Sequence, residues 1–234
     1  MTSASVAVAW VQARLGYQPR DATLFSAALT HRSAARPNNE RLEFLGDAVL
    51  NLSIARQLYD AFPEASEGDL SRLRARLVSR EPLAEVALGL GIGEVLRLGS
   101  GELKSGGFRR HSILADAFEA LCGAVFLDGG LQAVEPLLAR LFAPRIAALP
   151  PPEALKDAKT RLQEHLQSRS LTLPRYTILG IEGADHAQTF RVSCEVPGLK
   201  LRVEGGGASR RSAEQEAAAR MLAAIAGAAA GAPP

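Results

Sequence analysis

Glu40, Glu43 and Asp47 stand at i, i+3 and i+7 in the stretch Asn39-Glu-Arg-Leu-Glu-Phe-Leu-Gly-Asp47. At about 100° per residue they share one helical stripe roughly 60° wide. The helix itself follows from Leu42, Leu45, Val49 and Leu52, which recur at the three-and-four spacing of one buried side, with Asn38 or Asn39 at the N-cap. Acids on a helix surface are ordinarily solvated, and like charges there cost only a few tenths of a kcal/mol. Here Phe44 and Leu50 flank the stripe, and Gly46 sits mid-helix, where it costs about 1 kcal/mol relative to alanine and asks for a packing reason. Acids wedged between apolar neighbours on a closely approached helix lose hydration, and a cation relieves that cost. The run Ser112-Ile-Leu-Ala-Asp-Ala-Phe-Glu-Ala-Leu121 repeats the pattern. Asp116 and Glu119 lie three apart amid Ile113, Leu114, Ala117, Phe118 and Leu121.

If these two helices pack face to face, Glu43, Asp47, Asp116 and Glu119 converge on an all-oxygen pocket that suits Mg²⁺ or Mn²⁺ and not zinc. A ferritin-like di-iron site needs Glu-x-x-His pairs, and no Glu in this chain has a His three residues on. A glycosidase needs two carboxylates and leaves the others unexplained. A divalent ion so held lowers the pKa of a water and neutralises charge on a phosphodiester, so phosphodiester hydrolysis is the indicated reaction class.

The elements that must position these acids fall into two grammars. Residues 3–145 are helical in pattern almost throughout, with breaks at 16–20, 36–39, 62–66 and 99–107. Ser66-Glu-Gly-Asp69 has capping-box spacing and starts a helix carrying Arg72, Arg74, Arg76 and Arg80, a row that reads as a solvated face. The glycine-rich run 99–107 contains neither a P-loop nor a G-x-G-x-x-G pattern. It therefore predicts no nucleotide cofactor and reads as a mobile loop. Consecutive prolines in 147–156 end the helices and mark a linker. Beyond it a helix over 156–169, strands over 175–181, 189–196 and 200–204, and a helix over 209–226 give α-β-β-β-α. The expected division is 1–146, linker 147–156, second domain 157–226 and a disordered tail 227–234.

Composition is that of a soluble globular protein, 47% hydrophobic and 22% charged with net charge +2. Cys122 and Cys194 have neither metal nor redox spacing. The N-terminus lacks a basic signal region, and no apolar stretch is long enough for a membrane span. The expectation is a cytoplasmic protein without membrane association. An α-β-β-β-α unit can touch two successive minor grooves of an A-form duplex through its first helix and one loop, and phosphates through a basic helix N-terminus. Thr160, Gln163 and Glu164 on the first helix, His186 in the loop, and Arg210 and Arg211 at the helix start are the candidates.

These residues carry a family resemblance. The stretch from Asn39 to Asp47 strongly resembles the signature of ribonuclease III, and Glu67-Gly-Asp-Leu-Ser-Arg72, Ser105-Gly-Gly-Phe-Arg-Arg110 and Ile113-Leu-Ala-Asp-Ala-Phe-Glu119 follow in family order. Asp157 to Leu166 and Ser209 to Gln215 look like parts of a double-stranded-RNA-binding domain. The resemblance implies an all-α endonuclease domain followed by a small α+β RNA-binding domain. It implies a homodimer that cleaves double-stranded RNA, including ribosomal and messenger precursors, to 5′-phosphate and 3′-hydroxyl ends with short 3′ overhangs. Carried over by position, Glu43, Asp47, Asp116 and Glu119 would hold Mg²⁺, with Asp47 and Glu119 catalytic. Glu40, Glu67 and Glu102 would be supporting acids, and Phe44 the dimer-interface aromatic. The chain departs from the family pattern at His111, where Glu is frequent, and in a less basic second RNA-binding helix containing Ser212 and Glu214. The competing readings are a catalytically inactive double-stranded-RNA-binding scaffold, whose mark would be broken acidic motifs, and a metal-dependent nucleotide phosphohydrolase, which would not need the appended RNA-binding unit.

Overall fold

The computed structural model describes residues 2–151, 156–183 and 188–230. The chain divides into two compact units, Met1–Pro150 and Pro151–Pro234. The described residues of the first form helices α1 (Ser3–Leu15), α2 (Ala22–Ala28), α3 (Glu40–Ala61), α4 (Glu67–Val78), α5 (Arg80–Leu90), α6 (Ser100–Lys104), α7 (His111–Gly129) and α8 (Leu131–Ala147). Among these helices no strand intervenes. None of the described helices is long and apolar enough to cross a membrane.

Helix α7 is the centre of this unit because its sequence is apolar nearly all round, with Ile113, Leu114, Phe118, Leu121 and Val125 all buried. Leu50, Ile54 and Leu58 of α3 and Phe142 of α8 complete a close-packed core, each large side chain contributing about 1.5–3 kcal/mol on burial. The packing reason for Gly46 is direct. A Cβ there would lie 1.7 Å from the Glu119 carbonyl oxygen, and one on Gly123 would lie 2.3 Å from that of Leu42. Two glycines thus let the backbones of α3 and α7 touch.

The start of α4 is capped as the spacing predicts, with the Asp69 N–H donating to Ser66 Oγ at 3.3 Å. The cap left open between Asn38 and Asn39 resolves to Asn38, and two other details differ from the sequence reading. The α3 cap is made by Asn38, whose Oδ1 accepts from the Glu40 N–H at 3.3 Å, while Asn39 is buried and makes no side-chain cap bond. The arginine row is broken at Ser79, so Arg80 opens α5 instead of ending α4. The glycine-rich run is not simply a loop: it winds into α6 and a 3₁₀ turn at Gly107–Arg109, held by Arg110 pairing with Glu102 at 3.0 Å. Glycine content misled there because a charged staple outweighs backbone freedom over so short a span.

The second unit comprises α9 (Ala158–Ser168), β1 (Arg175–Glu182), β2 (Thr189–Val196), β3 (Leu201–Gly207) and α10 (Arg210–Ala230). The strands form an antiparallel sheet in the order β1-β2-β3, with Cys194 opposite Tyr176 and Val203. Asp157 caps α9 by accepting from the Thr160 N–H at 2.9 Å. Leu162 and Leu166 of α9, Cys194 and Val196 of β2, and Ala217 and Met221 of α10 make its core. A Cβ at Gly205 would lie 2.3 Å from the Ala217 backbone nitrogen, so glycine at this strand position is what seats α10 on the sheet. Helix α10 continues past Gly227 to Ala230, because its run of alanines favours helix. The expected tail from residue 231 and the candidate His186 lie outside the described residues.

Candidate active site

The α3–α7 contact places Glu43 opposite Asp116 and Glu119, and one carboxylate oxygen from each lies within 4.8 Å of the others. All three are half-buried. Burial raises the pKa of Glu119 to about 8, helped by the charges of Asp47, Asp116 and Glu43. Glu43 is raised mainly by burial and then by Asp116. Asp116 is also raised by burial, against the pull of Arg80, His31 and Arg32. Among the described residues no lysine or arginine forms an ion pair with any of the three. Half-desolvated acids on rigid helices, with no direct ion-pair partner among the described residues, fit a divalent cation. The donor set is all oxygen, which suits a hard ion.

Of the other predicted acids, Glu40 and Glu102 line the cavity beside the trio, while Asp47 and Glu67 do not. Asp47 stands outside the trio: it is exposed, and Asn51 one turn on donates to its Oδ1 at 2.8 Å, holding the carboxylate along the α3 surface. It remains near enough to be the largest charge acting on Glu119. Glu40 is exposed and pairs with Arg32 at 3.5 Å. Glu102 pairs with Arg110. Glu67 is not part of the cluster: it lies on α4, accepts from Ser71 Oγ at 2.8 Å, and lines a separate groove with Tyr59 and Arg74. Its distance in sequence from the α3 acids concealed this, since equal chemical type says nothing about which helix face meets which.

Beside the trio is a cavity of about 330 Å³ whose walls include His31, Arg32, Asn39 and Arg110 as well as Glu43 and Asp116. The sequence reading missed His31, Arg32, Asn39 and Arg110 as site residues. Their signal was faint: His31-Arg32 falls in the short break between α2 and α3, where pattern analysis looks only for turn residues. His111, a departure from the family pattern, begins α7 and contacts Glu81 of α5. Phe44 does not line the cavity beside the trio and is 83% exposed. It borders an apolar groove of about 710 Å³ formed with Leu24, Ala27, Leu42, Leu45 and Leu127.

In the second unit, Thr160 is half-buried and Gln163 and Glu164 are exposed on α9. Glu164 is held by Lys156 at 2.7 Å. Arg210 and Arg211 are both exposed at the start of α10, but Arg210 pairs with the buried Glu214 at 2.8 Å. Lys159 reaches the same Glu214 at 2.5 Å, so Glu214 anchors the helix start and does not merely dilute its charge.

An all-helical domain carrying a half-buried carboxylate cluster is followed by an α-β-β-β-α unit. The Ribonuclease-III-like family model matches residues 21–146, and the double-stranded RNA binding motif matches residues 158–225. Ribonuclease 3 of Dechloromonas aromatica is 55% identical over 89% of this chain and 91% of its own length. Ribonuclease 3 of Alkalilimnicola ehrlichii is 55% identical over 83% of this chain and 86% of its own. The crystallised nuclease domain of the Campylobacter jejuni enzyme, described for a flexible region involved in dimer formation, is 40% identical with a TM-score of 0.57. It covers 58% of this chain and 96% of that one. The chain belongs to the ribonuclease III family and is an endoribonuclease for double-stranded RNA.

Proposed function

We propose that the first unit hydrolyses duplex RNA with Mg²⁺ held by Glu43, Asp116 and Glu119, with Asp47 joining from the next turn of α3. The observation that supports this reading is the half-buried carboxylate trio without a basic partner among the described residues. Mn²⁺ substitutes for Mg²⁺, since both take oxygen ligands in octahedral array. When bound, the ion neutralises charge on the phosphodiester and lowers the pKa of an attacking water. Glu43 and the α7 acids are fixed across the site by the Gly46–Gly123 backbone contact, so they hold their spacing without induced fit. Glu119 surrenders its proton when a cation arrives, so cation affinity rises with pH toward about 8. Attack by water on phosphorus with departure of O3′ leaves a 5′-phosphate and a 3′-hydroxyl. Product ends from a structured ribosomal or messenger precursor test this: they are to accept 3′-adapter ligation without phosphatase treatment. A 2′,3′-cyclic phosphate would contradict attack by water.

The functional unit in this reading is a homodimer. Phe44 beside its own apolar groove is a knob next to a hole, the self-complementary pattern that a two-fold axis pairs. Two sites related by that axis cut the two strands at staggered positions. Phe44→Asp is expected to sediment as a 24.8 kDa monomer where the wild type sediments at twice that mass. A dimeric variant would refute this placement of the interface.

The second unit supplies duplex affinity through Thr160, Gln163 and Glu164 on α9, through His186, and through Arg210 and Arg211. Arg211 is exposed, with no ion pair among the described residues. Arg211→Ala is expected to weaken binding of all duplex sequences alike and to reduce the slope of log affinity against log salt by about one. Filter binding over a salt series measures it. The reading places the protein in the cytoplasm with its RNA substrates, where Cys122 and Cys194 remain buried free thiols.

A further inference from the structure

We infer that His31 seats a non-bridging phosphate oxygen of the RNA strand beside the carboxylate trio, donating from its Nε2–H. The inference rests on the nuclease reading above and adds a substrate contact to it. Its basis is the tautomer. The Ser33 backbone N–H donates to His31 Nδ1 at 3.2 Å, and a backbone N–H can only donate, so Nδ1 is an acceptor. Ser33 Oγ lies 2.8 Å from the same nitrogen and itself accepts from the Gly99 N–H at 2.9 Å, which leaves its hydroxyl proton for the ring. The ring proton is therefore on Nε2. That nitrogen has no hydrogen-bond partner among the described residues and is not one of the buried polar atoms left unsatisfied, so it is open to a ligand.

The ring is also held in place. The His31 N–H donates to the Arg97 carbonyl at 2.9 Å, and the Arg97 N–H to the Leu29 carbonyl at 2.9 Å. A Cβ on Gly99 would lie 2.2 Å from the Ser33 carbonyl oxygen, so the two segments meet backbone to backbone. His31 lines the cavity together with Arg32, Arg110, Glu43 and Asp116. Arg32 is tied to Glu40 and Arg110 to Glu102, which occupies those two acids and leaves Glu43 and Asp116 for a cation. Asn39, buried in the same wall, has an Nδ2 without a partner. Glu40 and Glu102 line the same cavity as partners of the two guanidiniums, so the donors there without a partner among the described residues are the fixed His31 Nε2–H and the Asn39 amide, both beside the cation site. Among the parts of RNA, the acceptor-only phosphate matches this best.

The test uses the full-length protein and an RNA duplex in which one 2′-O-methyl methylphosphonate is moved stepwise through the cut strand, with 2′-O-methyl phosphodiesters as controls. Single-turnover cleavage by His31→Ala is expected to be slower by about 10²-fold, at an unchanged Mg²⁺ half-saturation. His31→Gln, whose side-chain amide offers a donor near the Nε2 position, is expected to recover most of the rate. At one position near the cut, the methylphosphonate should slow the wild type by the same factor and cost His31→Ala nothing further. Penalties that multiply at every position would overturn the proposal, as would a raised Mg²⁺ requirement, which would mean that His31 acts through Asp116. Failure of the wild type to cut the unmodified duplex would instead sink the nuclease reading.

Discussion

Gly46→Ala is expected to remove activity and to cost about 3 kcal/mol or more in stability, at the upper end of what overpacking a core does. The added methyl would sit 1.7 Å from the Glu119 carbonyl oxygen and 2.9 Å from the Gly123 nitrogen, and neither backbone atom can swing away as a side chain could. The helices α3 and α7 must part. In parting they carry Glu43 away from Asp116 and Glu119, so the fold and the metal pocket fail together. For a domain of this size the melting temperature should fall by roughly 10 °C. Gly89→Ala is the control, because it adds the same methyl inside α5 where nothing lies within 4 Å. That change should stabilise by about 0.5–1 kcal/mol through reduced backbone entropy of the unfolded chain. Opposite signs for the two substitutions, read by thermal unfolding, verify the contact; similar shifts would contradict it.

Glu119→Gln should have two effects of opposite sense. Activity falls by on the order of 10³-fold or more, since a divalent ion at a phosphoryl centre contributes several kcal/mol. Stability without metal rises. The pKa of Glu119 is about 8 in the folded protein against an ordinary 4.5, so between these values the native state binds more protons than the unfolded state. Its contribution is fully present below pH 4.5 and is lost as pH rises through 8. Raised values for Glu43 and Asp116 act in the same direction. In a chelator the wild type should therefore lose several degrees of melting temperature between pH 5 and pH 8, and Glu119→Gln should lose fewer. Added Mg²⁺ should reverse the order at pH 8 by stabilising only the protein that binds it. A metal-free wild type with a flat profile over that window would argue against the half-buried cluster.

What sequence reasoning could and could not reach follows from the range of each interaction. Helical periodicity is local, so α3, α7 and the α-β-β-β-α order of the second unit were legible, as was the need for a packing partner at Gly46. Two acid-bearing apolar helices also announced that Glu43, Asp116 and Glu119 would meet. The placement of Asp47 depended on Asn51 capturing its carboxylate, a competition between neighbours that spacing does not resolve. The role of the 99–107 run turned on Glu102 finding Arg110. His31 was hidden for the same reason: its tautomer is set by Ser33 and Gly99, and no pattern along the chain links residues 31 and 99.

The most direct test of the account is cleavage of a long perfect RNA duplex by the wild type and by Glu119→Gln, each with Mg²⁺ and each with Ca²⁺. The account predicts that the wild type with Mg²⁺ cuts both strands with a short 3′ overhang, while Glu119→Gln binds the duplex with undiminished affinity and leaves it whole. Cleavage by Glu119→Gln at the wild-type rate would contradict the account, because the carboxylate trio on α3 and α7 would then not be where the phosphodiester is broken.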